Sequence, residues 1–122
     1  MKSNYLKIGK GVINLVEDTL NSNFSVAVSN GNTTDYKPKI LYVSDPVVDK
    51  LYGDKVRSQI EAVGRLKTES VNYNTINFAM TIAERCIATD VDCIVGMGGG
   101  KVLDVCKYAS YISKTPYLSI PT

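Results

Sequence analysis

The chain has 122 residues, of which 44% are apolar and 21% charged, a length and balance that fit one globular domain and argue against a disordered chain. Its net charge is +2, and its lysines are spread along the chain. That leaves no basic patch for nucleic acid or an anionic membrane, and no apolar run approaches the roughly 20 residues of a membrane span.

Histidine is absent, which removes the commonest general base and the commonest transition-metal ligand. The opening MKSNYLKIGKG lacks an apolar core followed by a small-residue cleavage site, so a cytoplasmic protein is expected. Cys86, Cys93 and Cys106 are odd in number, lie inside apolar patterns and form no CxxC pair. They read as reduced core thiols, with neither a disulfide nor a metal site expected.

In chain order, Gly11 to Asn21 predicts an amphipathic helix through Val12, Leu15, Val16 and Leu20. The stretch from Phe24 to Tyr36 fits either a hairpin around Asn30-Gly31 or a polar loop. Ile40 to Ser44 reads as a buried strand, after which Asp45-Pro46 starts a helix with Asp45 at N-cap and Pro46 at the first helical position. That helix, Val47 to Val63, is expected to bury Val48, Leu51, Tyr52, Val56, Ile60 and Val63, and Gly64 ends it.

A short strand from Leu66 to Val71 precedes a helix from Thr75 to Ala88 whose apolar stripe is Ile76, Ala79, Met80, Ala83, Cys86 and Ile87. Asp92 to Met97 is a continuous apolar run, the pattern of a strand covered on both faces. The helix from Lys101 to Ser113 is expected to bury Val102, Val105, Cys106, Ala109 and Ile112, and Tyr117 to Ile120 make a last strand. Alternating strands and helices predict an α/β fold: an open, mostly parallel, Rossmann-like sheet with helices on both faces.

The chemistry concentrates in Val95-Gly96-Met97-Gly98-Gly99-Gly100-Lys101, where a buried strand runs directly into a helix. Glycines there allow a phosphate to approach the backbone N–H groups without Cβ interference, and the helix N-terminus adds unpaired donors and partial positive charge. Lys101 is badly placed for the helix dipole and makes better sense beside an anion. A tight turn explains one glycine, but not a run of three plus Gly96. Two familiar phosphate loops are excluded by spelling. A P-loop requires Gly at position 95 and Ser or Thr at 102, where Val95 and Val102 stand; GxGxxG from Gly96 requires Gly at 101 and meets Lys101.

Asp45, at a strand's end, has two readings: a simple N-cap, or an acceptor for both hydroxyls of an adenosine ribose, which would favour NAD over NADP. Asp104 and Lys107, a turn apart, fit a surface ion pair or a pair ordering the glycine loop. Thr122 follows the last strand at the sheet's carboxyl edge, where ligands of open α/β folds bind.

The segments Asp92-Cys93-Ile94-Val95-Gly96-Met97-Gly98-Gly99-Gly100-Lys101-Val102-Leu103-Asp104-Val105-Cys106-Lys107 and Pro116 to Thr122 together resemble the N-terminal domain of the iron-containing alcohol dehydrogenase superfamily. The likeness is to its glycerol dehydrogenase and sn-glycerol-1-phosphate dehydrogenase branch, with a dehydroquinate synthase-like fold, and Lys107 favours the dehydrogenases over the synthases. Ile8-Gly9-Lys10-Gly11 and the strand ending at Asp45 also fit.

The resemblance implies a nicotinamide cofactor with Gly98, Gly99 and Gly100 at its pyrophosphate, Asp45 at its ribose, and Lys101, Asp104 and Thr122 alongside. It implies one dinucleotide-binding domain over residues 1–122, without the family's helical domain and its zinc or iron site, so that no catalytic residue lies in this chain and no turnover is expected from it alone. A homo-oligomer is expected. Two further classes stay open: a non-catalytic nucleotide-binding or interaction module, and a flavodoxin-like module taking FMN.

Overall fold

The computed structural model describes residues 6–7, 13–24, 37–71 and 76–122. The elements run β1 (Leu6–Lys7), a 3-10 turn (Ile13–Leu15), α1 (Val16–Phe24), β2 (Lys39–Ser44), α2 (Pro46–Val63), β3 (Arg65–Ser70), α3 (Ile76–Ala88), β4 (Cys93–Gly98), α4 (Gly100–Ser113) and β5 (Tyr117–Pro121). The strands form one parallel sheet in the order β1-β5-β4-β2-β3. β4 sits centrally and every one of its residues is buried, as its unbroken apolar run requires. The chain leaves β2 towards β3 and leaves β4 in the opposite direction towards β5, so it reverses between β2 and β4. The carboxyl ends of those two strands therefore lie at the reversal point, where open α/β sheets form their ligand crevice.

Side-chain alternation along the strands divides the core in two. Leu41, Val43 and Ile94 face α3 and α4, meeting Ala79, Ile82, Ala83, Val102, Val105, Cys106 and Ala109. Ile40, Tyr42, Val95, Met97, Leu118 and Ile120 face the other way, against Val16 and Leu20 of α1 and Val56 and Ile60 of α2. Gly96 lets α4 lie close on β4, since a Cβ there would come within 2.7 Å of Cys106 Sγ and 3.0 Å of Tyr117 Cε1.

Element existence and order follow the sequence reading from residue 39 onward, with ends shifted by a residue or so. The helical faces differ more. In α2 the buried stripe is Gly53, Val56 and Ile60, while Leu51 is 67% exposed and Tyr52 is also exposed. At about 3.6 residues per turn Leu51 lies nearly opposite that stripe, so its hydropathy misled the expectation. In α3 the buried face, packed largely against α4, is Ala79, Ile82, Ala83 and Cys86, leaving Ile76, Met80 and Ile87 exposed; in α4 Ser110 is buried and Ile112 is not.

Of the first predicted helix, Gly11 and Val12 lie outside the described residues; Ile13–Leu15 form the 3-10 turn, which leaves Leu15 exposed, and α1 buries Val16 and Leu20. The Gln59 side chain fastens this region to α2, its Nε2 donating to the Ile13 carbonyl at 2.7 Å and its Oε1 accepting from Glu17 N at 3.0 Å. Gly64 caps α2 through its N–H to the Ile60 carbonyl, in extended backbone. Its lack of a side chain serves space, because a Cβ would lie 2.1 Å from the Pro38 carbonyl oxygen. β1 had no counterpart in the sequence reading, and the hairpin-or-loop choice for residues 25–36 lies outside the described residues. No helix among the described residues is long and apolar enough to cross a membrane.

Cys86, Cys93 and Cys106 are free and buried. Burial pushes the Cys93 thiol up to about 12 and raises those of Cys106 and Cys86 as well. An unfolded thiol ionises near about pH 8.5, so the folded state holds the proton more tightly and its stabilising contribution is complete below that pH. As pH rises further, ionisation of these thiols in the unfolded chain draws the equilibrium away from the fold, so stability should fall steadily between about pH 9.5 and 11. Tyr42, whose hydroxyl burial also raises, adds to the loss above about pH 10. Denaturant midpoints measured from pH 7 to 11 check this, and a flat profile would contradict it.

Candidate functional site

The β4–α4 junction is built for close approach. Gly98 has φ +156, outside the range L side chains favour, and a Cβ there would sit 2.8 Å from Val102 Cγ2 and 3.3 Å from Asp45 Oδ2. Gly99 is the N-cap of α4 and offers no side-chain hydrogen bond to the helix. A Cβ on Gly99 or Gly100 would meet nothing within 4 Å. The space beside Gly99 and Gly100 is thus open, the start of α4 carries the positive end of the helix dipole, and its first turn contains no acidic residue.

Across the crevice, Asp45 ends β2 and caps α2. Its Oδ1 accepts from Val48 N at 2.8 Å, while its Oδ2 is the oxygen that stands against Gly98. The cap is therefore real and occupies one carboxylate oxygen. Thr122 closes the third side: β5 pairs Pro121 with Gly98, and Thr122 N–H donates to the Gly98 carbonyl at 3.1 Å. The fold brings Asp45, Gly98 and Thr122 together, and Gly99, Gly100 and Lys101 follow directly on α4.

Lys101, Asp104 and Lys107 are exposed on α4. Of the two readings of Asp104 and Lys107, the surface ion pair does not form, whereas Arg57 pairs with Asp49 and Asp54, and Arg85 with Glu69. The two side chains extend into solvent, where a pair one turn apart gains little.

The residues the sequence reading passed over lie beneath Asp45. Tyr42, buried in β2, donates its hydroxyl to Asp49 Oδ1 at 3.0 Å, and the Arg57 guanidinium donates to the same oxygen. The Arg57–Asp49 contact crowds Gly53, where a Cβ would be 2.0 Å from Asp49 Oδ1 and 2.7 Å from Arg57 Nη1. A groove of about 370 Å³ opens beside them, lined by Tyr42, Ser44, Asp49, Arg57, Thr68, Glu69 and Ser70. Only the isolated glycine within a helical pattern signalled anything at this place.

This architecture separates two chemistries. The α4 end offers backbone donors and Lys101 to an anion, whereas a carboxylate at Asp45 repels phosphate and accepts hydroxyl donors.

Residues 29–122 match the family described as iron-containing alcohol dehydrogenase. The chain belongs to the iron-containing alcohol dehydrogenase family. Among curated members, it is 33% identical over 84 residues to the glycerol-1-phosphate dehydrogenase (NAD(P)+) of Aeropyrum pernix, covering 68% of this chain and 24% of that protein. It is 34% identical over 82 residues to the enzyme of the same name from Haloquadratum walsbyi, covering 67% and 23%. The chain thus spans about a quarter of the length of the curated relatives it matches.

The same fold recurs in solved iron-containing alcohol dehydrogenases. Glycerol dehydrogenase from Schizosaccharomyces pombe superposes with a TM-score of 0.69 at 16% identity over 98% of this chain and 27% of that one. The iron-containing alcohol dehydrogenase of Thermococcus thioreducens gives 0.68 at 10% identity over 99% and 36%. The residues present fit a dinucleotide, by the uncapped α4 N-terminus and the Asp45 carboxylate opposite it. They do not fit a metal: no group of three or more His, Cys, Asp or Glu side chains among the described residues could hold one.

Proposed function

We propose that this chain is the dinucleotide-binding domain of a glycerol-phosphate or polyol dehydrogenase and takes NAD in the crevice between β2 and β4. The supporting observation is the pairing of Asp45 Oδ2, facing the turn at Gly98, with the uncapped start of α4. The backbone N–H groups of Gly99, Gly100 and Lys101 bind the diphosphate, and the Lys101 ammonium adds charge. Asp45 Oδ2 accepts from the adenosine ribose hydroxyls and disfavours a phosphate on the 2′ oxygen, so NAD is preferred to NADP. The Thr122 hydroxyl lies at the rim of the same crevice, and Asp104 and Lys107 flank it on α4.

The nicotinamide supplies hydride acceptance and donation; this chain's share is to bind and orient it. The 33 to 34% identity to enzymes named glycerol-1-phosphate dehydrogenase supports a secondary alcohol on a glycerol backbone as the substrate class.

Calorimetric titration of the 122-residue chain with NAD, NADP and FMN tests the reading. NAD is expected to bind at least about tenfold tighter than NADP, the worth of one charge-assisted hydrogen bond, with no FMN uptake. Preference for FMN would refute it in favour of the flavodoxin-like module, and no binding of either nicotinamide dinucleotide would refute it as well.

A further inference from the structure

Tyr42 places a hydroxyl in the core at 1% exposure, where a phenylalanine would pack as well and carry no polar atom needing a partner. That hydroxyl leaves strand β2 for helix α2, donating to Asp49 Oδ1 at 3.0 Å. Asp49 N–H donates to the Asp45 carbonyl at 3.0 Å, and Asp45 Oδ1 accepts from Val48. On the strand side the Ser44 carbonyl accepts from Val71 N at 2.8 Å. The turn carrying Asp45 is thus anchored to the sheet through Ser44 and to the first turn of α2 through its own cap. The Tyr42–Asp49 bond is the side-chain contact that locks those two anchors together.

The lock is held taut from the helix side. Arg57 engages Asp49 across the space left by Gly53, and its other guanidinium nitrogen engages Asp54. Burial keeps the Tyr42 hydroxyl protonated far above neutral pH, so it remains a donor under all working conditions.

We infer that Tyr42 and Asp49 are positioning residues for the ribose end of the cofactor site, their hydrogen bond fixing the rotation of the α2 N-terminus that sets Asp45 Oδ2 beside Gly98. The inference rests on the dinucleotide reading of the crevice. Neither residue lines the α4 turn, so the diphosphate end is independent of them.

The test measures NAD and inorganic diphosphate binding to the wild-type chain and to Tyr42→Phe, Asp49→Ala and Asp49→Asn, with thermal melts alongside. Tyr42→Phe and Asp49→Ala are expected to weaken NAD about five- to tenfold, the net worth of one hydrogen bond, while diphosphate affinity stays within about twofold. Asp49→Asn keeps an acceptor for Tyr42 and should restore NAD affinity to within about twofold of wild type. Unchanged NAD binding in Tyr42→Phe and Asp49→Ala overturns the inference, as does an equal loss of NAD and diphosphate, the signature of general loosening. A wild-type chain that binds no NAD overturns the dinucleotide reading and this inference with it, whereas the first two outcomes leave that reading standing.

Discussion

Replacing Gly98 by alanine is expected to lower NAD affinity at least about 100-fold and to cost about 2 to 4 kcal/mol of stability. The backbone at φ +156 charges an L residue about 1 to 3 kcal/mol. The new methyl would also press on Val102 at 2.8 and 2.9 Å, forcing the first turn of α4 off β4 in a packed interior. Displacing that turn spoils the convergence of its N–H groups. Gly99→Ala is the informative companion, because its Cβ meets nothing within 4 Å and its backbone is already extended. Its stability should change by less than about 1 kcal/mol, yet NAD should weaken about tenfold because the methyl occupies the phosphate's approach. Equilibrium denaturation and calorimetry on the two variants separate fold from ligand. Undiminished NAD binding in Gly99→Ala would show that no phosphate comes to that turn.

Asp45→Asn carries the second large effect. Asparagine is as good an N-cap as aspartate, so stability should hold within about 0.5 kcal/mol. The charge, however, is gone from the oxygen facing Gly98. A hydrogen bond to a charged acceptor is worth about 1.5 to 3 kcal/mol, so NAD affinity should fall about 10- to 100-fold. NADP should lose much less, since its 2′-phosphate no longer meets a carboxylate. The NAD-to-NADP preference should shrink at least about tenfold. A preference left intact by the substitution would assign Asp45 to capping alone.

Both effects come from residues legible in the sequence, for a physical reason. The strand-to-helix passages at Ser44-Asp45-Pro46 and Met97-Gly98-Gly99 are written in local chemistry: a cap residue with proline after it, and glycines where a backbone must be bare. The sequence did not disclose that Asp45 and Gly98 face each other. That proximity depends on β2 and β4 being neighbours, although β3 and α3 intervene in the chain. The Tyr42–Asp49–Arg57 contacts were hidden for a related reason. A tyrosine among apolar strand residues reads as core, and an aspartate in a helix's first turn reads as a dipole partner. Their meeting is a tertiary event.

Helix faces were misjudged where hydropathy outran geometry. Leu51, Ile76, Met80, Ile87 and Ile112 count as apolar in any window, yet a sheet beneath a helix covers only one side of it. The stripe that wins includes small or polar residues such as Gly53 and Ser110 because they permit contact. β1 was missed because two residues carry no periodicity.

The Thr122 N–H to Gly98 carbonyl bond has a thermodynamic consequence. It staples the end of the last strand to the base of the glycine turn through the backbone alone, just as the Asp45 cap settles the opposite wall. A guest entering this crevice finds both sides preorganised and loses little to ordering the host, so more of its contact energy survives as affinity.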